Sequence, residues 1–139
     1  MIDKLNRNDI NISKNTNVKY IPFEPKSQNR FIVKIEGVPT YLIKGFSAEH
    51  FGMSDEGTIK MEWYDPVVPS ASHIIEEIFE KKRTNHILYH SLRPNGDKVE
   101  EYEYFDCFPI SYSFCNDWSN TDSKILKSVW KYKKYSLNY

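Results

Sequence analysis

Residues 58–79 read T-I-K-M-E-W-Y-D-P-V-V-P-S-A-S-H-I-I-E-E-I-F, and within them the apolar period changes once. Ile59, Met61 and Trp63 alternate with Thr58, Lys60 and Glu62, the pattern of a half-buried strand that Asp65-Pro66 stops. After Pro69, the residues Ala71, Ile74, Ile75, Ile78 and Phe79 recur at helical spacing, with Ser70 placed to cap the N-terminus. Lys81, Lys82 and Arg83 fall in the last turn, where cations suit the negative end of the helix dipole, and Asn85 is the expected stop. This helix of about three turns is the one convincing helix in the chain. Its apolar stripe has to pack on a sheet.

Outward from this stretch the chain reads as strands. On the N-terminal side Phe31, Val33 and Ile35 share one face, and beyond the Gly37 to Pro39 break Tyr41 and Ile43 oppose Leu42 and Phe46. A first hairpin is predicted there, followed by a long loop, 47–57, rich in acids and glycine. Residues 1–29 contain six Asn and only scattered apolar positions, so they read as an arm that is removable without unfolding the domain at 30–139. On the C-terminal side a short strand over 86–92 runs into the tight-turn signal Asn95-Gly96. Tyr102 and Tyr104 then alternate with Glu101 and Glu103, and after Pro109 Ile110, Tyr112 and Phe114 alternate with Ser111 and Ser113. In the last strand Leu126, Trp130 and Tyr132 share one face while Lys127, Lys131 and Lys133 share the other. The sum is a mainly β domain, a sandwich or partly closed barrel of about seven strands with one flanking α-helix.

Composition narrows the function. A chain of 139 residues suits one domain, and its 15% aromatic content fits strands and interfaces better than a helical bundle. Nineteen basic residues balance nineteen acidic ones, which argues against a broad phosphate-gripping face and against sequence-specific DNA binding. The apolar runs are short and Met1 to Asn11 holds no apolar signal core, so folding in a cytosol without membrane insertion is expected. The two cysteines, Cys107 and Cys115, make no disulfide or zinc framework and read as free thiols.

Motifs for catalysis are weak. His86 and His90 have helical metal-pair spacing, but on a strand they stand roughly 13 Å apart, with no carboxylate in view to assist them. Cys107 lacks a recognisable activating neighbour. Neither Gly-rich phosphate loop is present, and Glu100, Glu101 and Glu103 read as one solvated strand face. No enzyme activity, cofactor or metal is expected. Charge placement is more telling. From Glu49 to Glu80 there are eight acids against Lys60 alone, and from Ser123 to Tyr139 five lysines and no acid. Such a division favours pairing one copy's acidic surface with another's basic one, unless the charges pair within the monomer.

Taken in order, N-R-F-I-V-K-I at 29–35, Y-L-I-K-G-F-S at 41–47 and M-E-W-Y-D-P-V-V-P-S at 61–70 resemble the tail tube proteins of contractile-tailed bacteriophages. Cys107-Phe108-Pro109, then Phe114, Asp117-Trp118-Ser119 and a closing alternating strand are similar to that family's ending. The resemblance implies a β subunit with a flanking helix that forms six-membered rings, stacked into a tube through which DNA and a tape measure protein pass. The type VI secretion tube protein is related. Sheath, baseplate or neck proteins are the partners implied, the virion tail is the implied location, and synthesis in the host cytoplasm follows. The polar arm and the lysine-rich last strand depart from the family pattern, so a major tube subunit and a specialised baseplate or neck ring both stay open.

Within this reading, strands of neighbouring copies join edge to edge and the 47–57 loop reaches the next ring. Phe51 and Met53 are bulky apolar residues in a polar loop, which points to burial in a partner, with Glu49, Asp55 and Glu56 setting orientation. Lys127, Lys131 and Lys133 are the candidate contacts between subunits. The rival is a small β-barrel that binds single-stranded nucleic acid through Tyr102, Tyr104, Trp130 and Tyr132 beside the same lysines.

Overall fold

The computed structural model describes residues 26–138; most of the predicted arm, residues 1–25, lies outside them. Seven strands and one helix follow in the order β1 (Phe31–Ile35), β2 (Ile43–His50), β3 (Gly57–Tyr64), α1 (Ala71–Lys81), β4 (Asn85–Leu92), β5 (Lys98–Phe114), β6 (Ile125–Tyr132) and β7 (Lys134–Asn138). All pairing is antiparallel, in the order β1-β4-β5-β6-β3-β2, with β7 beside β5. β1 and β2, at the two ends of that order, are not paired, so the sheet stays open as a partly closed sandwich.

The predicted helix is present. Ser70 Oγ accepts the His73 N–H at 3.3 Å, and the Asp65 carboxylate accepts the Ala71 N–H at 2.9 Å, so two side chains satisfy N–H groups that the first turn leaves free. The helix ends at Lys81, because Lys82 turns left-handed at φ 51°. That is earlier than the Asn85 stop expected from the sequence, and it leaves Lys82 and Arg83 on a connection outside the helix.

The first hairpin does not form. β1 pairs with β4, from Phe31↔Ser91 to Ile35↔Ile87, while β2 pairs with β3. Between them the Ile35↔Val38 bridge and a 3-10 turn at Thr40–Leu42 carry the chain across, anchored by the buried Leu42. β2 also runs further than expected, so the loop shrinks to 51–56.

Another correction concerns β5, read as two strands parted at Pro109. It is continuous for 17 residues, with Pro109 at a register shift, where a missing N–H costs the ladder little. Its first half pairs with β4 and β7, and its second half with β6. Asp106, at φ 53°, marks the bend between the halves. Opposite it the closing strand is also bent, and Lys133, between β6 and β7, donates its N–H to the Phe105 carbonyl at 3.1 Å. This bent pair joins the two halves of the sandwich.

The core fills the space inside. Trp63, Trp130, Leu126, Met61, Ile59, Ile75 and Ile87 are buried there. Both indole N–H groups of Trp63 and Trp130 donate to Ser128 Oγ at 2.9 Å, so one hydroxyl satisfies two buried donors.

Candidate assembly interface

The loop with the predicted stacking residues projects from the end of the sheet where β2 turns into β3. Its root is held by aromatic side chains from β5, β6 and β7. Tyr132 Oη donates to the Glu49 carbonyl at 2.9 Å, Tyr104 Oη lies 3.0 Å from His50 Nε2, and the His50 ring stacks on Tyr135 at 4.1 Å. Burial lowers the His50 pKa, because desolvation disfavours the charged ring. Gly57 closes the root, since a β-carbon there would run into the Tyr132 hydroxyl and the Glu49 carbonyl.

Beyond this clamp the loop is bare. Phe51 is 46% and Met53 100% exposed, and Glu49, Asp55 and Glu56 are exposed around them. Within the loop, the Ser54 N–H reaches the Phe51 carbonyl at 3.2 Å and the Glu56 N–H reaches Ser54 Oγ at 3.1 Å. Phe51, Met53, Asp55 and Glu56 therefore lie on the projection itself, and Glu49 stands at its root, in β2 opposite Thr58. The three lysines divide. Lys127 and Lys131 stand on the outer face of β6, and Lys133 sits at the bend.

The nucleic-acid rival loses the feature that supported it. Tyr104, Trp130 and Tyr132 are buried on the inner face, while Lys127 and Lys131 point the other way. The exposed rings near Lys127 are different ones, Phe114 and Trp118, which line a hollow with it. Trp118 in the β5–β6 connection is fully exposed, a position that its sequence neighbours did not disclose.

The histidines do have carboxylate partners, contrary to the expectation from the sequence. The β4–β5 register sets His90 opposite Glu101 and Leu88 opposite Glu103, so His90 Nε2 meets Glu101 Oε1 at 2.7 Å and His86 Nε2 meets Glu103 Oε2 at 2.9 Å. Asn138 Nδ2 donates to both carboxylates, at 3.1 and 3.2 Å. Glu100 does not share their face. It is 7% exposed on the inner side, accepting from Ser91 Oγ at 3.1 Å and pairing with Lys26 Nζ at 2.5 Å. Strand parity with Tyr102 and Tyr104 was the signal that would have placed it inside. Among the described residues no group of three or more His, Cys, Asp or Glu is arranged to hold a metal. Cys107 is buried, which pushes its thiol up to about 12, so it carries no thiolate at neutral pH.

The hydrogen bonds from Asn138 and His90 hold the Glu101 pKa below the ordinary value of 4.5. A depressed carboxylate contributes stability that is fully present above its unfolded pKa and lost as pH falls through the folded one. Glu101→Gln is therefore expected to flatten the fall in stability below about pH 4.5, as read by urea melts across that range. An unchanged acid slope would show that Glu101 has no part in it.

No family model matches the chain, and no curated protein matches it. Solved structures do. The sheath/tube terminator of an extracellular contractile injection system in its extended state matches with a TM-score of 0.69 at 12% identity, covering 86% of this chain and 100% of that one. The anti-feeding prophage cap, described as a tube-terminating cap, gives 0.65 at 14%, covering 88% and 97%. The SPP1 tail tube gives 0.61 at 8%, covering 82% and 79%. Identities this low speak to architecture, and across nearly the whole described domain this chain has the fold of the tail tube and injection-system tube proteins.

Proposed function

We propose that the protein is a structural subunit of a tail tube, assembling into stacked six-membered rings whose channel delivers DNA. The observation that carries this reading is the match in fold over the full length of a tube terminator, joined to a sheet whose terminal strands β1 and β2 each have one free edge. Edge strands left this way are completed by neighbours, and a closed ring removes them. The 51–56 loop reaches the next ring through Phe51 and Met53, with Glu49, Asp55 and Glu56 orienting it, and Lys127, Lys131 and Lys133 serve contacts between subunits. Residues 1–29 are read as an arm that can be removed without unfolding the domain at 30–139, its described part meeting the domain through the Lys26–Glu100 pair.

Sheath, baseplate or neck proteins and a tape measure protein are the partners of such a tube, DNA crosses the lumen without being read, and the particle is a virion tail made in the host cytoplasm. The subunit's work is polymerisation, and it performs no catalysis. Purified protein is expected to form rings or tubes in negative-stain electron microscopy, at high concentration or once seeded by an initiating complex. A species that stays monomeric by light scattering across concentration, with baseplate components added, would overturn the proposal.

A further inference from the structure

The bend in β5 gathers cations that are far apart in the sequence. On one side Lys82 and Arg83, displaced from the helix, line a hollow with Phe108 and Pro109. On the other, Lys131 pairs across the ladder with Phe108, Lys133 bonds the Phe105 carbonyl, and Lys134 lies 5.2 Å over the Phe105 ring. All five cations are exposed, around two half-buried aromatic rings. Among the described residues none of the five lies within salt-bridge distance of a carboxylate. Asp106 is the one acid in the bend itself.

The 51–56 loop is the reverse of this surface. Glu49, Asp55 and Glu56 surround an exposed apolar pair, none of them makes an ion pair among the described residues, and no lysine or arginine occurs between Glu49 and Gly57. The register Glu49↔Thr58 and Thr58↔Lys131 puts two strand spacings, about 10 Å, between the Glu49 and Lys131 backbones, and their side chains form no ion pair. Of the charge division noted in the sequence, Asp65 is paired inside the subunit, with Lys124 at 3.6 Å, whereas Glu49, Asp55 and Glu56 are not paired among the described residues.

We infer that the acidic loop of one copy seats on the basic bend of a second copy, with Phe51 and Met53 against Phe105 and Phe108 and the acids against the surrounding cations. This rests on the tube reading above and names the surface that receives the loop. The two surfaces differ, so the contact is heterologous and repeats from copy to copy. Opposite charge around a matched apolar centre orients the encounter and disfavours loop-to-loop or bend-to-bend pairing.

Charge reversal with rescue tests the pairing. Glu49→Lys, Asp55→Lys and Glu56→Lys in one chain, and Arg83→Glu, Lys131→Glu and Lys133→Glu in another, alter exposed residues with no ion-pair partner of their own. Each triple variant is expected to fold, by circular dichroism, and to raise the concentration needed for assembly roughly tenfold or more in sedimentation. A chain carrying both reversals is expected to return to within about threefold of wild type, because the pairs are re-formed with opposite signs. Single reversals that assemble like wild type overturn the inference and leave the tube reading standing. Reversals that weaken assembly without rescue overturn it as well. A wild type that binds a fluorescent single-stranded oligonucleotide, with binding lost on reversing the bend and assembly not rescued, makes the bend a polyanion site instead. A wild type that never assembles removes the tube reading and the inference together.

Discussion

Trp130→Ala is expected to destabilise the folded domain by about 3–5 kcal/mol, the usual cost of emptying a large aromatic site in a packed core. Trp130 is fully buried near the middle of β6, flanked in the ladder by Ile59 of β3 and Pro109 of β5. Its removal opens a cavity where three strands meet. It also takes one of the two indole donors from Ser128 Oγ, leaving Trp63 as that hydroxyl's remaining aromatic partner. Domains of this kind hold only about 5–15 kcal/mol in total, so a fall of about 10–20 °C in melting temperature follows. The control is Trp118→Ala, at the fully exposed tryptophan of the β5–β6 connection, expected to change stability by no more than about 0.5 kcal/mol. Thermal melts by circular dichroism compare the two. Equal losses at both positions would contradict the burial that separates them.

Phe51→Ser combined with Met53→Ser is expected to do the opposite, sparing the fold and stopping tube growth. Neither side chain packs into the core cluster, and the clamp that holds the loop root, from Tyr132, Tyr104 and Tyr135, does not involve them. Melting should therefore shift by no more than a degree or so, as surface changes do. In an assembled tube each apolar side chain buried in a neighbour contributes about 1.5–3 kcal/mol. Losing both raises the concentration needed for growth by at least roughly a hundredfold. Electron microscopy of the double variant beside its melting curve decides the matter. A lowered melting temperature with tubes still forming would mean that the two residues support their own core and not a partner.

Much of the chain could be read from local pattern. The alternation of Ile59, Met61 and Trp63, the Ser70 cap and the two faces of residues 126–132 are all recorded within a few residues of themselves, because strand and helix periods are local geometry. The exposure of Phe51 and Met53 was legible too, since two bulky apolar side chains among acids stand out against a polar segment. The order of the quoted segments also carried a resemblance to tail tube proteins, and the folded chain has that architecture.

Strand partners were another matter. Whether Phe31–Ile35 pairs with the segment that follows it or with Asn85–Leu92 depends on which distant face completes its burial, and a period-2 pattern names a face without naming a neighbour. The same limit hid the carboxylates that meet His86 and His90 and the Ser91 hydroxyl that meets Glu100. It also hid the basic bend, where Lys82 and Arg83 line a hollow with Phe108 and Lys131 pairs with Phe108 across the ladder. The sequence by itself determined the elements, the faces each one buries and the signs of its charges. The tertiary structure alone decided which of them meet, because a strand's hydrogen bonds and a charge's surroundings are supplied by residues from elsewhere in the chain.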